Sequence, residues 1–186
     1  NHGVDQELIQ QAYAQATAFF ELPNEVKTSY EDLALKGQRG FTSLGRENAK
    51  GALAKDLKEF WHVGRELPSD HPDLPKFGVN LWPSELDQFK SVMLDLYRQL
   101  EACSMTLLRA IARYLDEPEE LFVDMVHHGD TILRVIHYPP LPPGRDPASI
   151  RAAAHEDINL ITLLCESTDE GLELLQRDGT WRPIHA

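Results

Sequence analysis

The sequence predicts an α+β protein in which helices come first and an antiparallel sheet follows. Three observations carry that expectation. Up to about residue 128, apolar residues recur at helical spacing, most clearly at 5–22 and again after Ser84. From about 129 the apolar runs turn short and rich in β-branched and aromatic residues. Asp178-Gly179 then separates two such runs as a hairpin turn would. The expected division is a mainly helical region, 1–128, and the first strands of a sheet core, 129–186.

Each element follows from its residues. Leu8, Ile9, Ala12, Ala16, Phe19 and Phe20 line one helical face, with Asp5 as the N-cap. Pro23 opens a short second unit, with a helical turn from Glu25 to Tyr30. Gly37, Gly40, Gly45 and Gly51 punctuate a polar run around Phe41, which reads as a loop or a short strand with turns. Leu57, Phe60 and Trp61 add apolar material before a proline-rich loop. The longest helix is expected to start at an Ser84 N-cap with Asp87 as its partner, and to bury a face from Phe89 to Leu115. Pro118 stops or restarts it, and a shorter helix through Leu121, Phe122 and Met125 follows. Thr131–Tyr138 and Ile158–Leu164 read as strands, and Leu172–Leu175 pairs with Trp181–Ile184 as a hairpin. So few strands need helices or a second sheet over one face.

Composition narrows the function classes. Eighteen Lys and Arg stand against 30 Asp and Glu, a formal net charge of −12. That sign disfavours long-range attraction to nucleic acid. No run approaches the length of a membrane span. No signal peptide is seen, although the sequence starts at Asn1 without a Met, so a targeting segment is not excluded. Cys103 and Cys165 are too few for a disulfide scaffold and read as buried thiols, which fits a cytoplasmic setting. Glycine-rich phosphate loops and nucleophile elbows are absent.

One pattern carries chemistry. His155 and Asp157 flank a single residue, so on an extended segment both side chains point the same way and can meet one ion. Two histidines and a carboxylate on one face of iron(II) leave three positions open for reactants. Alone, His-x-Asp reads first as a solvated loop end. Its place directly before an apolar run favours a site. His127-His128 reads as a solvated turn, His2 and His62 as surface or loop histidines, and Glu119-Glu120 as helix-boundary charge.

Several segments, in order, resemble the iron(II)/2-oxoglutarate-dependent dioxygenases of the isopenicillin-N-synthase-like group. They are Asn1–Val4, the loop Arg39–Glu47, Lys58-Glu59-Phe60-Trp61-His62-Val63-Gly64, and Asn80-Leu81-Trp82-Pro83. Leu133–Pro140, Ala154–Asp157, Ile161–Leu164, Gly171–Leu174 and Asp178–Trp181 continue the likeness over nearly the whole sequence. The resemblance implies N-terminal helices packed on part of a double-stranded β-helix, or jelly-roll, barrel that is incomplete at the C-terminal end. It implies iron(II) and 2-oxoglutarate as cofactors, with His155 and Asp157 as two metal ligands and Tyr138 against the cosubstrate carboxylate. Arg134 either orients that pocket or is a strand-surface cation, while Ile136 stands where plant members often have Asn. Phe41 and Trp82 either line a substrate entrance or fill the core.

The family's third ligand and its Arg-x-Ser clamp lie further downstream than Ala186, and His185 is not expected to replace that ligand. The strand that leads into Asn-His-Gly-Val is likewise not in the sequence. The expected activity is hydroxylation of a small organic substrate with O2, releasing succinate and CO2. The partners are that substrate and O2, with no nucleic acid and no membrane; a homo-oligomer is compatible. The alternatives are an inactive fragment or degenerate homologue acting as an interaction module, with open strand edges that invite dimerisation, and an oxidase of the same group that does not use 2-oxoglutarate.

Overall fold

The computed structural model describes residues 2–32, 34–35, 37–46, 56–127, 129–141, 144, 151–165 and 170–184. The chain forms two compact units, Asn1–Glu156 and Asp157–Ala186. In the first, helices cover one face of an open three-stranded sheet, so the expected α+β layering is what the residues build.

Helix α1, Gln6–Phe20, starts where Asp5 caps it: the carboxylate accepts from the Glu7 N–H at 2.9 Å. All six residues expected on its apolar face are buried. A single turn, α2 (Asn24–Thr28), follows Pro23. Helix α4, Phe89–Tyr114, buries Phe89, Val92, Met93, Leu96 and Tyr97 against α1 and the sheet. A four-residue turn, α3 (Leu74–Phe77), lies before it, and α5 (Leu121–Val126) after it. Bidentate Arg109–Glu120 and Arg113–Glu119 pairs brace the connection between α4 and α5.

The sheet runs β1 (Gly40–Thr42), β2 (Glu59–Gly64), β3 (Ile132–His137), all antiparallel. Two of its three strands therefore come from the region expected to be mainly helical. Strand β2 is central and buried along its whole length. Alternation sends Trp61 and Val63 toward the helices, beside Phe41, Leu133 and Val135. Phe19 is the hub of that layer. Its ring meets Trp61 at 4.6 Å and Phe20, Phe41 and Phe89 at 5.5–5.7 Å, mostly edge to face.

Four expectations need correcting. The Glu59–Gly64 run is a strand, which its lack of polar alternation concealed: a strand buried on both faces shows no period of two. Ser84 does not cap α4. Its hydroxyl and N–H are engaged by Tyr30 Oη, and the helix starts five residues later, after Gln88, with no side-chain cap. The apolar face expected to reach Leu115 is buried only in part, since Leu107, Ile111 and Leu115 are exposed. Ile158–Leu164 is not a strand. Among the described residues no segment pairs with it, and a strand exists only where a neighbour completes its ladder.

The second unit holds the expected hairpin, β4 (Glu173–Leu175) with β5 (Trp181–Pro183), in the register Leu174↔Arg182. Gly179 takes φ +85°, and Asp178 accepts from both the amide and the hydroxyl of Thr180. Those bonds hold the Asp178 carboxyl below the usual range.

Both ends of β2 are tied by polar side chains. At Gly64 the amide of Asn80 completes the ladder. It accepts from the Gly64 N–H and donates to the Gly64 carbonyl, each at 2.8 Å. The fully buried guanidinium of Arg39 packs against the same glycine and pairs with Asp130 at 2.8 Å. A methyl group at residue 64 would sit 2.0 Å from Arg39 Cζ. Gly64→Ala should therefore displace a buried ion pair and cost about 2–4 kcal/mol in chemical denaturation; a change under about 0.5 kcal/mol would refute this account.

Helix α4 also holds the entrance to β3. Tyr97 Oη donates to the Thr131 carbonyl at 3.1 Å, and Arg65 bridges the Gly129 carbonyl and Glu101. Burial, which disfavours the phenolate, pushes the Tyr97 hydroxyl up to about 12. The folded pKa lies above the unfolded value, so this contribution is full below about pH 10 and is lost as pH rises toward 12. Spectrophotometric titration should show one tyrosine ionising late, and Tyr97→Phe should remove that step.

Candidate functional site

The sheet has a second face, turned away from the helices, and Arg134 stands on it. Register places His62 opposite Arg134 and Phe60 opposite Ile136. Alternation puts these four side chains on one side. His62 is 1% exposed, which corrects its reading as a surface histidine. Its Nδ1 lies 2.6 Å from the Gly37 carbonyl, and its Nε2 accepts from Arg134 Nε at 2.6 Å. A carbonyl can only accept, so Nδ1 carries the proton and Nε2 the lone pair. The ring is thus a neutral bridge between a loop carbonyl and a guanidinium. Arg134 also lies over the Phe60 ring, Cζ to centroid 4.6 Å. It is exposed, and its direction is set by an imidazole and an aromatic face.

Tyr138 follows β3 directly and is 38% exposed. Phe41 is 1% exposed, against Phe19 and Trp61, and so belongs to the core. Trp82 packs partly buried at the core edge, with Lys90 over its ring.

At the opposite edge, Glu59 pairs with Lys27 through both carboxylate oxygens, each at 2.9 Å, and accepts from His137 Nδ1 at 2.8 Å. The His137 ring stacks on Phe20. Sequence reasoning assigned no role to Lys27, Glu59 or His62. The available signal was Lys58-Glu59 directly before an apolar run, because charge beside a buried strand needs a partner.

His155 is exposed, and its Nδ1 lies 2.8 Å from the Ala153 carbonyl. The same donor argument puts a proton on Nδ1, so the neutral ring is the tautomer with its lone pair on Nε2. That is the form in which a histidine ligates a metal, oriented by a backbone carbonyl. Asp157 is exposed and accepts from the Thr162 hydroxyl. His155 lies at the end of the first unit and Asp157 at the start of the second. An imidazole and a carboxylate are suitable donors for iron(II). Among the described residues no group of three or more His, Cys, Asp and Glu side chains is assembled to hold a metal. His127 is an exposed turn residue, while His128 and His185 lie outside the described residues. Cys103 and Cys165 are both half-buried.

Known proteins share this architecture. Residues 1–85 match the family described as non-haem dioxygenase in morphine synthesis N-terminal. A 2-oxoglutarate-Fe(II) type oxidoreductase of Aspergillus fumigatus is 31% identical over 191 residues, covering 98% of the chain and 57% of the relative. A proline hydroxylase of Petromyces alliaceus is 31% identical, covering 100% and 59%. The crystal structure of a 2-oxoglutarate-Fe(II) oxygenase family protein from Caulobacter crescentus superposes with TM-score 0.85 at 44% identity, covering 98% and 58%. A full-length Neurospora crassa protein in complex with α-ketoglutarate and thymine gives TM-score 0.82 at 28% identity, with 98% and 58% covered. The chain thus spans less than two thirds of the length of these relatives, and its open sheet corresponds to part of their jelly-roll core.

The His62 bridge yields a direct prediction. His62→Leu removes the donor to Gly37 and the acceptor for Arg134 together, and should cost about 1–3 kcal/mol of stability. His62→Gln, which can both donate and accept, should recover a good part of it. Denaturant midpoints measure both variants, and equal midpoints for Leu and Gln would rule the bridge out.

Proposed function

The chain belongs to the 2-oxoglutarate/iron(II)-dependent oxygenase superfamily, and on that premise we propose a non-haem iron(II) oxygenase that hydroxylates a small organic substrate. Oxygen supplies one atom to the substrate and one to 2-oxoglutarate, which leaves as succinate and CO2. The observation that carries this reading is the ligation-ready tautomer of His155, two residues before Asp157. It lies in a chain matched over 98% of its length by a 2-oxoglutarate-Fe(II) type oxidoreductase.

His155 Nε2 and the Asp157 carboxylate would hold the metal. Bound iron(II) supplies the redox chemistry that activates dioxygen. Arg134, held by His62 and Phe60, offers a fixed cation to a cosubstrate carboxylate, and Tyr138 offers a hydroxyl donor to the same anion. Preset direction matters, because a guanidinium already oriented loses less freedom on binding. The partners on this reading are the substrate and O2. No described helix is long and apolar enough to cross a membrane; a sequence with only two cysteines suits a reducing, cytoplasmic setting.

A second reading, an interaction module without turnover, draws on the finding that among the described residues no three His, Cys, Asp or Glu side chains are assembled to hold a metal. Anaerobic iron(II) titration with and without 2-oxoglutarate, followed by succinate detection, separates the two. His155→Ala and Asp157→Ala should each weaken iron(II) binding by more than about tenfold. Arg134→Leu should leave iron binding intact and weaken 2-oxoglutarate binding by about 10–100-fold, the effect of losing one charge-assisted contact. Absence of specific iron(II) binding to the wild type would sink the oxygenase reading.

A further inference from the structure

We propose that Asp56 is a positioning residue for the iron ligand His155, acting through the backbone of Ala153 with Lys58 as its counter-charge. The inference rests on the reading of His155 as a ligand, and deepens it. Asp56 is 3% exposed and lies just ahead of β2. A carboxylate so buried must be paired. Lys58, itself 8% exposed, supplies the charge, with Nζ 2.9 Å from Oδ2. The other oxygen, Oδ1, accepts from the N–H of Ala153 at 3.2 Å, across 97 residues of sequence. Ala153 is therefore engaged at both backbone groups. Its N–H is held by Asp56, and its carbonyl accepts from His155 Nδ1 at 2.8 Å.

Residues 151–156 form neither helix nor strand, so regular structure does not fix this run. The Asp56 bond ties it to the buried approach of β2. Through the Ala153 carbonyl the tie reaches the imidazole, and favours the tautomer and ring direction that present Nε2 to a metal. A carboxylate acting through a backbone carbonyl is thus an outer partner of the ligand. Loss of such partners typically weakens metal binding about 10–100-fold.

The test compares iron(II) dissociation constants, by anaerobic chelator competition, for the wild type and two variants of the full natural chain. Asp56→Asn keeps an oxygen that can accept from Ala153 and should stay within about threefold of wild type. Asp56→Leu removes the acceptor and should weaken binding at least about tenfold while circular dichroism reports a folded protein. A folded Asp56→Leu variant that binds iron(II) like wild type overturns the inference and leaves the oxygenase reading standing. Failure of the wild type to bind iron(II) overturns that reading, and this inference with it. Should Asp56→Leu not fold, hydrogen exchange on the metal-free wild type decides. The Ala153 amide should exchange at least about tenfold more slowly than an open peptide. An unprotected amide overturns the proposal.

Discussion

Strand β2 is a six-residue segment with no exposed face, and it carries or adjoins charge at both ends. That is a severe constraint. Burying Glu59, Arg39, Asp56 and Lys58 costs several kcal/mol per ion unless each finds a partner. The partners come from four separate parts of the first unit: Lys27 from α2, His137 from β3, Asp130 from the approach to β3, Ala153 from the run before His155. Each pair adds little net stability over an apolar equivalent, but an alternative arrangement would leave a buried charge alone. The gain is in specificity. A register shift of one residue between β2 and β3 would separate Glu59 from His137 and His62 from Arg134, and would turn Trp61 out of the core.

This constraint explains why the fold was partly legible in the sequence. Helix α1 was fully readable, because its cap is local and its face has a helical period. Helix α4 was readable as a helix but not in its start, since Ser84 found a tertiary partner in Tyr30 instead of the helix backbone. Strand β2 was hidden because a strand buried on both faces carries no alternation. Ile158–Leu164 misled for the opposite reason. Its residue types suit a strand, but pairing is a property of neighbours, and no described neighbour completes the ladder.

The candidate site was legible by type rather than by contact. His155, Asp157, Arg134 and Tyr138 could be chosen from spacing and resemblance, because ligation and carboxylate binding require particular side chains. Nothing local identified His62, which the sequence presented as one more histidine in an apolar run. Its role is set by cross-strand register, and register depends on the whole sheet. Asp56 and Lys58 were similarly opaque, as their significance lies in a contact with Ala153 from the far side of β3 in sequence.

The two faces of the sheet divide its tasks. One packs Trp61, Val63, Leu133 and Val135 against the helices and supplies rigidity. The other carries Phe60, His62 and Arg134, whose contacts lock one another. A cation mounted on a strand whose reverse side is core cannot move without disturbing Trp61 and Phe19, so its direction is inherited from the packing. The run before His155 lacks such a mounting, since no ladder holds residues 151–156. A side chain from the buried approach to β2 substitutes for one, and the rigidity of the same strand is thereby passed to a loop that could not generate it. The Arg134 cation and the His155 imidazole thus depend on a common support, although 97 residues of sequence separate Asp56 from the residue it holds.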